Sequence, residues 1–87
     1  MGMYQDKKDV LKQIADQTLS GAGDTQKVQE ELERLAAEVN SQLSGSATGE
    51  RAAAILDNAA SGLQTVVSAL LEAKSKMDSY YSRLEQL

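Results

Sequence analysis

The sequence contains no proline, cysteine, histidine, tryptophan or phenylalanine, and its only aromatic residues are three tyrosines. Without cysteine, neither a disulfide nor a thiolate metal site can reinforce a small core. Without histidine and cysteine, the side chains that most often serve as general bases and activated nucleophiles are missing, so we expect no enzymatic activity. The absence of proline removes the residue that most strongly interrupts helices.

Ligand-binding motifs are missing as well. No Asp-x-Asp-x-Asn-Gly calcium loop occurs. The glycine-containing segment Gly45–Gly49 is too short for a phosphate-binding P-loop, and Glu50 stands where that motif requires lysine. The net charge is −4, with acidic and basic residues interspersed and no basic stripe that could neutralise phosphates. We therefore expect no cofactor, metal, nucleic acid or small-molecule substrate, which leaves another protein as the expected partner.

Helix-forming residues dominate what is present. Eighty-seven residues allow one small domain, and abundant Ala, Leu, Glu, Gln and Lys favour helix throughout. Residues 44–49 read Ser-Gly-Ser-Ala-Thr-Gly, and apolar residues follow helical spacing on both sides. Gly45 and Gly49 permit unusual backbone angles, and Ser46 or Thr48 can cap the following helix. The sequence predicts a single all-α hairpin domain over residues 1–87, with helices at about 5–43 and 48–86 and a turn at 44–48.

The first helix carries apolar residues at alternating steps of three and four, which predicts one contact stripe. The predicted stripe consists of Leu11, Ile14, Thr18, Gly21, Thr25, Val28, Leu32, Leu35, Val39 and Gln42. It is weak around Gly21 and Gly23, where two glycines cost roughly 2 kcal/mol of helix propensity relative to alanine. This favours a kink or break, with Asp24 capping a restart, and one continuous helix is the alternative. Further along, Glu30 stands four residues before Arg34 and is expected to form a local ion pair with it.

The second helix is apolar over a wider face. Its predicted contact stripe consists of Ala52, Ile55, Ala59, Gly62, Val66, Ala69, Ala73, Met77, Tyr80, Leu84 and Leu87. A second stripe of Leu56, Leu63, Val67 and Leu71, with Leu70 beside it, is expected to face another hairpin. Asp57 is the only charged residue between Ala52 and Leu71, so a membrane span is an alternative. Several polar side chains in the same segment would lack partners in hydrocarbon and argue against it.

Since one hairpin cannot cover both stripes, we expect two hairpins to pair into a four-helix bundle, as an obligate dimer of the chain with itself or with a partner of the same shape. The residues predicted to form the partner interface are Leu32, Leu35, Val39, Ile55, Leu56, Leu63, Val66, Val67, Leu70 and Leu71.

Near the end of the chain, Tyr81 and Glu85 stand four residues apart and therefore one helical turn apart on one face. Together they offer a ring, a hydroxyl and a carboxylate as a small recognition patch. In the alternative interpretation, Tyr80 and Tyr81 only close the end of the bundle and Glu85 is solvated. Tyr80 is expected to continue the contact stripe through Met77 and Leu84.

Hairpin length, a glycine turn near the middle and the tail motif together resemble the WXG family of small type VII secretion proteins, the relatives of the mycobacterial early secreted antigen. The resemblance covers roughly residues 25–87. It implies a helical hairpin that pairs into a four-helix bundle, with a Tyr-x-x-x-Asp/Glu export signal that Tyr81 and Glu85 match and a turn glycine that Gly49 matches. It also implies synthesis in the bacterial cytoplasm and secretion without a cleaved signal peptide, and residues 1–19 contain no uninterrupted apolar run typical of such a peptide.

The sequence departs from that family at one position, because Ala47 stands where the family's Trp-x-Gly turn has tryptophan. In the family, the export surface is thought to combine the tail of one subunit with the turn tryptophan of the other. The departure points to a partner that supplies this tryptophan, such as the helical N-terminal domain of an LXG-type toxin. The resemblance also implies that the tail contacts the type VII secretion ATPase. Alternatives are a self-paired WXG-like substrate, a needle-type filament subunit and a cytosolic coiled-coil adaptor.

Overall fold

The computed structural model describes the backbone of residues 3–86 and the side chains of residues 5–86, which form two antiparallel helices. Helix α1 spans Met3–Gln42 and helix α2 spans Ala47–Glu85. The hairpin measures 65 × 14 × 12 Å, in keeping with about 60 Å for 40 residues at ~1.5 Å per residue. The predicted all-α helical hairpin is confirmed. Leu87, which was assigned to the end of the contact stripe, lies outside the described residues.

Helix α1 continues without interruption through Gly21 and Gly23, so the break that the glycines favoured is wrong. Ala22, which lies between the two glycines, is only 2% exposed and packs against α2. One turn further along, the hydroxyl of Thr25 donates a 2.8 Å hydrogen bond to the carbonyl oxygen of Gly21. Packing against a second helix supplies most of the stability of helices in proteins, and here it offsets the low helix propensity of the glycines.

The turn is short because both helix ends are satisfied locally. Gly45 adopts a φ of +84°, which only glycine enters without strain. The side chain of Ser46 caps α2, since its Oγ accepts a 3.2 Å hydrogen bond from the backbone N–H of Gly49. Of the two candidate caps, the structure therefore selects Ser46, and Thr48 lies inside the helix.

Gly49 has a different role from the one expected, because it is a buried residue of α2 and not part of the turn. A Cβ atom at this position would lie 2.5 Å from the Cβ of Leu43 and 2.7 Å from its carbonyl oxygen. Gly49 is thus required by the close approach of the two helix ends, while its backbone is ordinary helix.

The contact between the helices, here called the seam, is built mainly from small residues. Among the residues whose side chains the structure describes, six apolar ones are buried: alanine at positions 15, 22, 36, 53 and 60, and Leu84. Larger seam residues are only half-buried, and these are Leu11, Leu32, Val39, Leu56, Leu63, Val67, Leu70, Met77 and Tyr81. Alanines at seven-residue spacing allow the two backbones to approach closely along one side of each helix.

The seam matches the predicted stripes at some positions and is displaced by one residue at the others. The predicted residues that do lie in the seam are Leu11, Thr18, Thr25, Leu32, Val39, Met77 and Leu84. Ile14 and Val28, which were assigned to the first stripe, are 46% and 52% exposed, while the neighbouring alanines at 15 and 22 are buried. On α2, Leu63 and Val67 were expected to face a second hairpin but pack toward α1, and Ile55 and Val66 point outward. On α1 the predicted stripe included the bulky Ile14 and Val28, whereas the neighbouring alanines make the close contact. On α2 the predicted stripe held the smaller residues, and the larger Leu56, Leu63 and Val67 pack toward α1.

Candidate functional site

Many of the residues that immediately precede seam residues are apolar and lie on one side of the hairpin. In an antiparallel pair, the position one residue before the seam falls on the same side of the hairpin in both helices, because each helix is right-handed and they run in opposite directions. We define the apolar face by the apolar and glycine residues at these positions, namely Val10, Ile14, Gly21, Val28, Leu35, Ala52, Ile55, Ala59, Gly62, Val66, Ala69, Ala73 and Tyr80. Polar and charged residues stand among them on the same side, and these are Lys7, Gln17, Asp24, Glu31, Glu38, Lys76 and Arg83.

A groove near the open end of the hairpin demonstrates that both helices contribute to this face. Its volume is about 380 Å³, and Val10, Leu11 and Ile14 of α1 line it together with Tyr80 of α2. Asp6 and Lys7 stand at its rim. The groove is shallow and apolar, so it can receive a hydrophobic side chain from another molecule.

The exposure of the apolar face is high for such large side chains. Ile55 is 63% exposed, Val10 54%, Val28 52%, Tyr80 48% and Val66 45%. Single exposed apolar residues are ordinary, but several large ones on one side of a molecule favour an interaction surface. The face is therefore the strongest candidate for binding another protein.

The opposite side of the hairpin, here called the polar face, consists of the residues that follow the seam. Acidic residues predominate among its charged positions, and they are Asp9, Asp16, Glu30, Glu33, Glu50, Asp57, Asp78 and Glu85. Leu19 and Leu71 are large apolar residues on this face, at 47% and 45% exposed. Six of the nine exposed large apolar side chains among the described residues lie on the apolar face, so the two sides of the hairpin differ in apolar content.

The ten residues predicted to form the partner interface fall into three groups. Leu32, Val39, Leu56, Leu63, Val67 and Leu70 are half-buried and belong to the seam within the hairpin. Leu35, Ile55 and Val66 lie on the apolar face, where a partner can reach them. Leu71 lies on the polar face. The prediction did not separate contacts within the chain from contacts available to a partner, and the partner interface itself stays a prediction.

The tail motif is docked on α1. The Nζ atom of Lys8 lies 5.1 Å from the centre of the Tyr81 ring and 3.8 Å from a carboxylate oxygen of Glu85. Tyr81 is half-buried in the seam, while Glu85 is exposed. Tyr81, Lys8 and Glu85 thus form one cluster, and sequence reasoning missed Lys8 because it is 77 positions distant from Glu85 in the chain.

The two neighbouring tyrosines have exchanged the places expected of them. Tyr80 was expected in the seam but is 48% exposed on the apolar face. The guanidinium carbon of Arg83 lies 5.4 Å from the centre of its ring, which orients the ring at the edge of the groove. Tyr81 takes the inward position. This exchange is the same one-position displacement seen at several other positions of the seam.

The residues predicted at the turn have structural roles in the hairpin. Ala47 is the first residue of α2 and is exposed, Gly45 supplies the left-handed backbone, and Gly49 lies against Leu43. A side chain larger than alanine at position 47 would project into solvent.

A charged cluster on the outer surface of α1 also differs from expectation. Arg34 pairs with Glu31, at 2.5 Å, and with Glu38, at 3.0 Å, in place of Glu30. The hydrogen bond and charge of Arg34 lower the pKa of Glu31 below its ordinary value, and the same partners raise the pKa of Arg34. Both side chains are exposed, so the pair contributes only modestly to local helix stability.

The described residues include no group of three acidic side chains placed to hold a metal ion. Helix α2 contains an 18-residue stretch with a mean hydropathy of 1.2, enough by length and composition alone to cross a membrane. Asp57, Asn58 and Gln64 interrupt that stretch and would need partners in hydrocarbon. Most of the larger apolar residues of α2 lie on the seam or the apolar face, with Leu71 on the polar face, a distribution typical of a helix that packs against other helices.

No protein-family model, curated protein or solved structure matches the chain.

Proposed function

We propose that this chain is a small type VII secretion protein that binds a helical partner through its apolar face and presents Tyr81 and Glu85 as an export signal. The partner is a second helical hairpin, for which the N-terminal domain of an LXG-type toxin is the best candidate and a second copy of the chain the alternative. The proposal rests on the apolar face, because one hairpin leaves its apolar side chains exposed to water and a second molecule is needed to bury them.

The size of the apolar face supports pairing with another hairpin. The apolar face runs nearly the full length of a hairpin 65 Å long, from Val10 and Tyr80 at the open end to Leu35 and Ala52 near the turn. Its length matches a partner that is itself a long helical hairpin. The small residues at its centre, which include Ala59 and Gly62, let a facing helix approach closely.

The position of the tail motif supports the export role. Tyr81 and Glu85 lie in the last turns of α2, and Glu85 is 52% exposed at its side chain. Both stand at the open end of the hairpin on the side that carries the polar face, so a partner on the apolar face leaves Glu85 accessible. The type VII assignment itself rests on the resemblance of this motif and the glycine turn to the WXG family, with alanine in place of the turn tryptophan.

A secretion assay tests the proposal. Glu85→Gln preserves the size of the side chain and removes its charge, and Tyr81→Leu keeps an apolar side chain in the seam while removing the ring and hydroxyl. We expect each variant to abolish secretion of the chain, or of a co-expressed toxin partner, in a strain that carries a type VII system. Glu72→Gln, an exposed change in the same helix, serves as the control and should be secreted like the parent chain.

Secretion is measured in the culture supernatant against a cytosolic marker protein, and circular dichroism confirms that each variant remains helical. Parent-level secretion of both tail variants would contradict the export role. It would leave an interaction module that binds through its apolar face and has no export signal.

A further inference from the structure

We propose that Lys8 is a positioning residue for the export patch, so that the signal consists of Tyr81 and Glu85 held in place by the first turns of α1. This inference rests on the proposed function and adds a residue to it. The observation that carries it is the single ammonium group placed between the two residues of the tail motif. Its distances are 5.1 Å to the centre of the Tyr81 ring and 3.8 Å to a carboxylate oxygen of Glu85.

Lys8 is well placed for this role because its side chain is only 16% exposed. It occupies the seam position seven residues before Ala15, so its aliphatic stem packs between the helices and its ammonium group emerges at the edge. A lysine confined in this way holds its charge at a fixed place. An exposed lysine would sample many rotamers and would order neither partner.

The contact has two consequences for the motif. The ammonium group attracts the face of the Tyr81 ring and fixes the ring's orientation. It also draws the carboxylate of Glu85 toward the same side of α2, so that ring and carboxylate stand in one arrangement. A receptor that binds both groups then meets a preorganised pair and does not have to order two independent side chains.

The arrangement makes export depend on the start of the chain as well as its end. If the first turns of α1 unfold, Tyr81 and Glu85 remain in the sequence but lose the group that orients them. A tyrosine and glutamate on an isolated helix would therefore be a weaker signal than the same residues in this hairpin.

Two substitutions at Lys8 and one at the distant Lys27 test the proposal in the full chain. Lys8→Met keeps the apolar stem and removes the charge, Lys8→Arg keeps both, and Lys27→Met makes the same change at an exposed position on the outer side of α1. Each of the two contacts is expected to be worth about a two- to fivefold effect. Lys8→Met should therefore reduce secretion several-fold, while Lys8→Arg and Lys27→Met should remain near the parent level.

Proton NMR provides a readout that loss of helix stability would not reproduce. The ring current of Tyr81 should move the Lys8 Hε resonances upfield of those of Lys27, and Tyr81→Leu should abolish that displacement. Circular dichroism and sedimentation of Lys8→Met should match the parent chain. Loss of secretion with unchanged folding and assembly supports positioning, whereas parallel loss of helicity would assign Lys8 a structural role and overturn the proposal.

The outcomes separate this inference from the proposed function. If Lys8→Met is secreted like the parent while Tyr81→Leu is retained in the cell, the export signal stands and the positioning role of Lys8 is wrong. If Tyr81→Leu and Glu85→Gln are both secreted normally, the proposed function is wrong and the inference falls with it.

Discussion

Gly49 of α2 lies directly against Leu43, so that a Cβ atom at position 49 would stand 2.5 Å from the Cβ of Leu43 and 2.7 Å from its carbonyl oxygen. Backbone atoms cannot move away as a flexible side-chain terminus can, so a larger residue at position 49 must displace the turn. The end of the hairpin that joins the helices is therefore the place where a single methyl group has the greatest effect on the fold.

We predict that Gly49→Ala destabilises the hairpin by about 1–3 kcal/mol, the usual cost of overpacking a close contact. Thermal unfolding followed by circular dichroism at a fixed protein concentration measures the change. The matched control is Gly23→Ala, where no atom lies within 4 Å of the added Cβ. That variant should be more stable than the parent chain by up to ~1 kcal/mol, because alanine has the higher helix propensity. Equal melting temperatures for both variants would contradict the close approach at Gly49.

Two adjacent valines should separate pairing from folding. Val66 is 45% exposed on the apolar face, whereas Val67 is half-buried in the seam. Val66→Asp should weaken binding of the partner hairpin at least ~100-fold, because the complex would bury a carboxylate that has no partner. The unbound Val66→Asp hairpin should keep its helicity. Val67→Asp should lower the helicity itself, since it places the charge between α1 and α2. Sedimentation and circular dichroism distinguish the two effects.

Leu71→Asp is the control for the pairing experiment, since Leu71 is equally exposed at 45% but lies on the polar face. It should associate like the parent chain. If Leu71→Asp disrupts association and Val66→Asp does not, the partner binds the polar face.

The charge cluster on α1 predicts a specific titration. The hydrogen bond and charge of Arg34 lower the pKa of Glu31, so the stabilisation from this contact is fully present above the ordinary glutamate pKa and is lost as the pH falls through the lowered value. Arg34→Gln should return the pKa of Glu31 toward its ordinary value, and Arg51→Gln, at a distant exposed position, should leave it unchanged. Side-chain carboxyl chemical shifts in NMR follow the titration, and an unaltered curve in Arg34→Gln would exclude the contact in solution.

Much of the fold follows from the spacing of apolar residues and the glycine-containing turn, since these determine two long helices and the place where they meet. The phase of the contact does not follow from them. Helix α2 carries two adjacent apolar stripes, and a single sequence does not indicate which one its own partner helix covers. On α1 the alanine positions decide the phase, because they allow the closest approach, but a prediction weighted by side-chain size favours Ile14 over Ala15. On α2 alanine occurs both in the seam and on the apolar face, and Tyr80 and Tyr81 are identical in size, so neither feature selects the stripe that faces α1.

The sequence likewise predicts only part of the cluster formed by Tyr81, Glu85 and Lys8. The spacing of Tyr81 and Glu85 is visible in the sequence, because both residues lie on one helix. Lys8 approaches them only after the chain has reversed direction, and the register of the two helices determines which residue of α1 arrives there. A reading of neighbouring positions therefore identifies two members of the cluster and misses the third.

The concentration of large exposed apolar side chains on one side of the hairpin also limits how far association can proceed. When two such molecules bury their apolar faces against each other, most of the surface that remains is polar, and the pair carries a net charge of −8, twice the −4 of one chain. This like charge opposes the addition of a third member. A filament requires two different adhesive surfaces on each subunit, so that every added subunit offers a fresh site to the next. This molecule offers one, and its assembly is expected to close once that surface is covered.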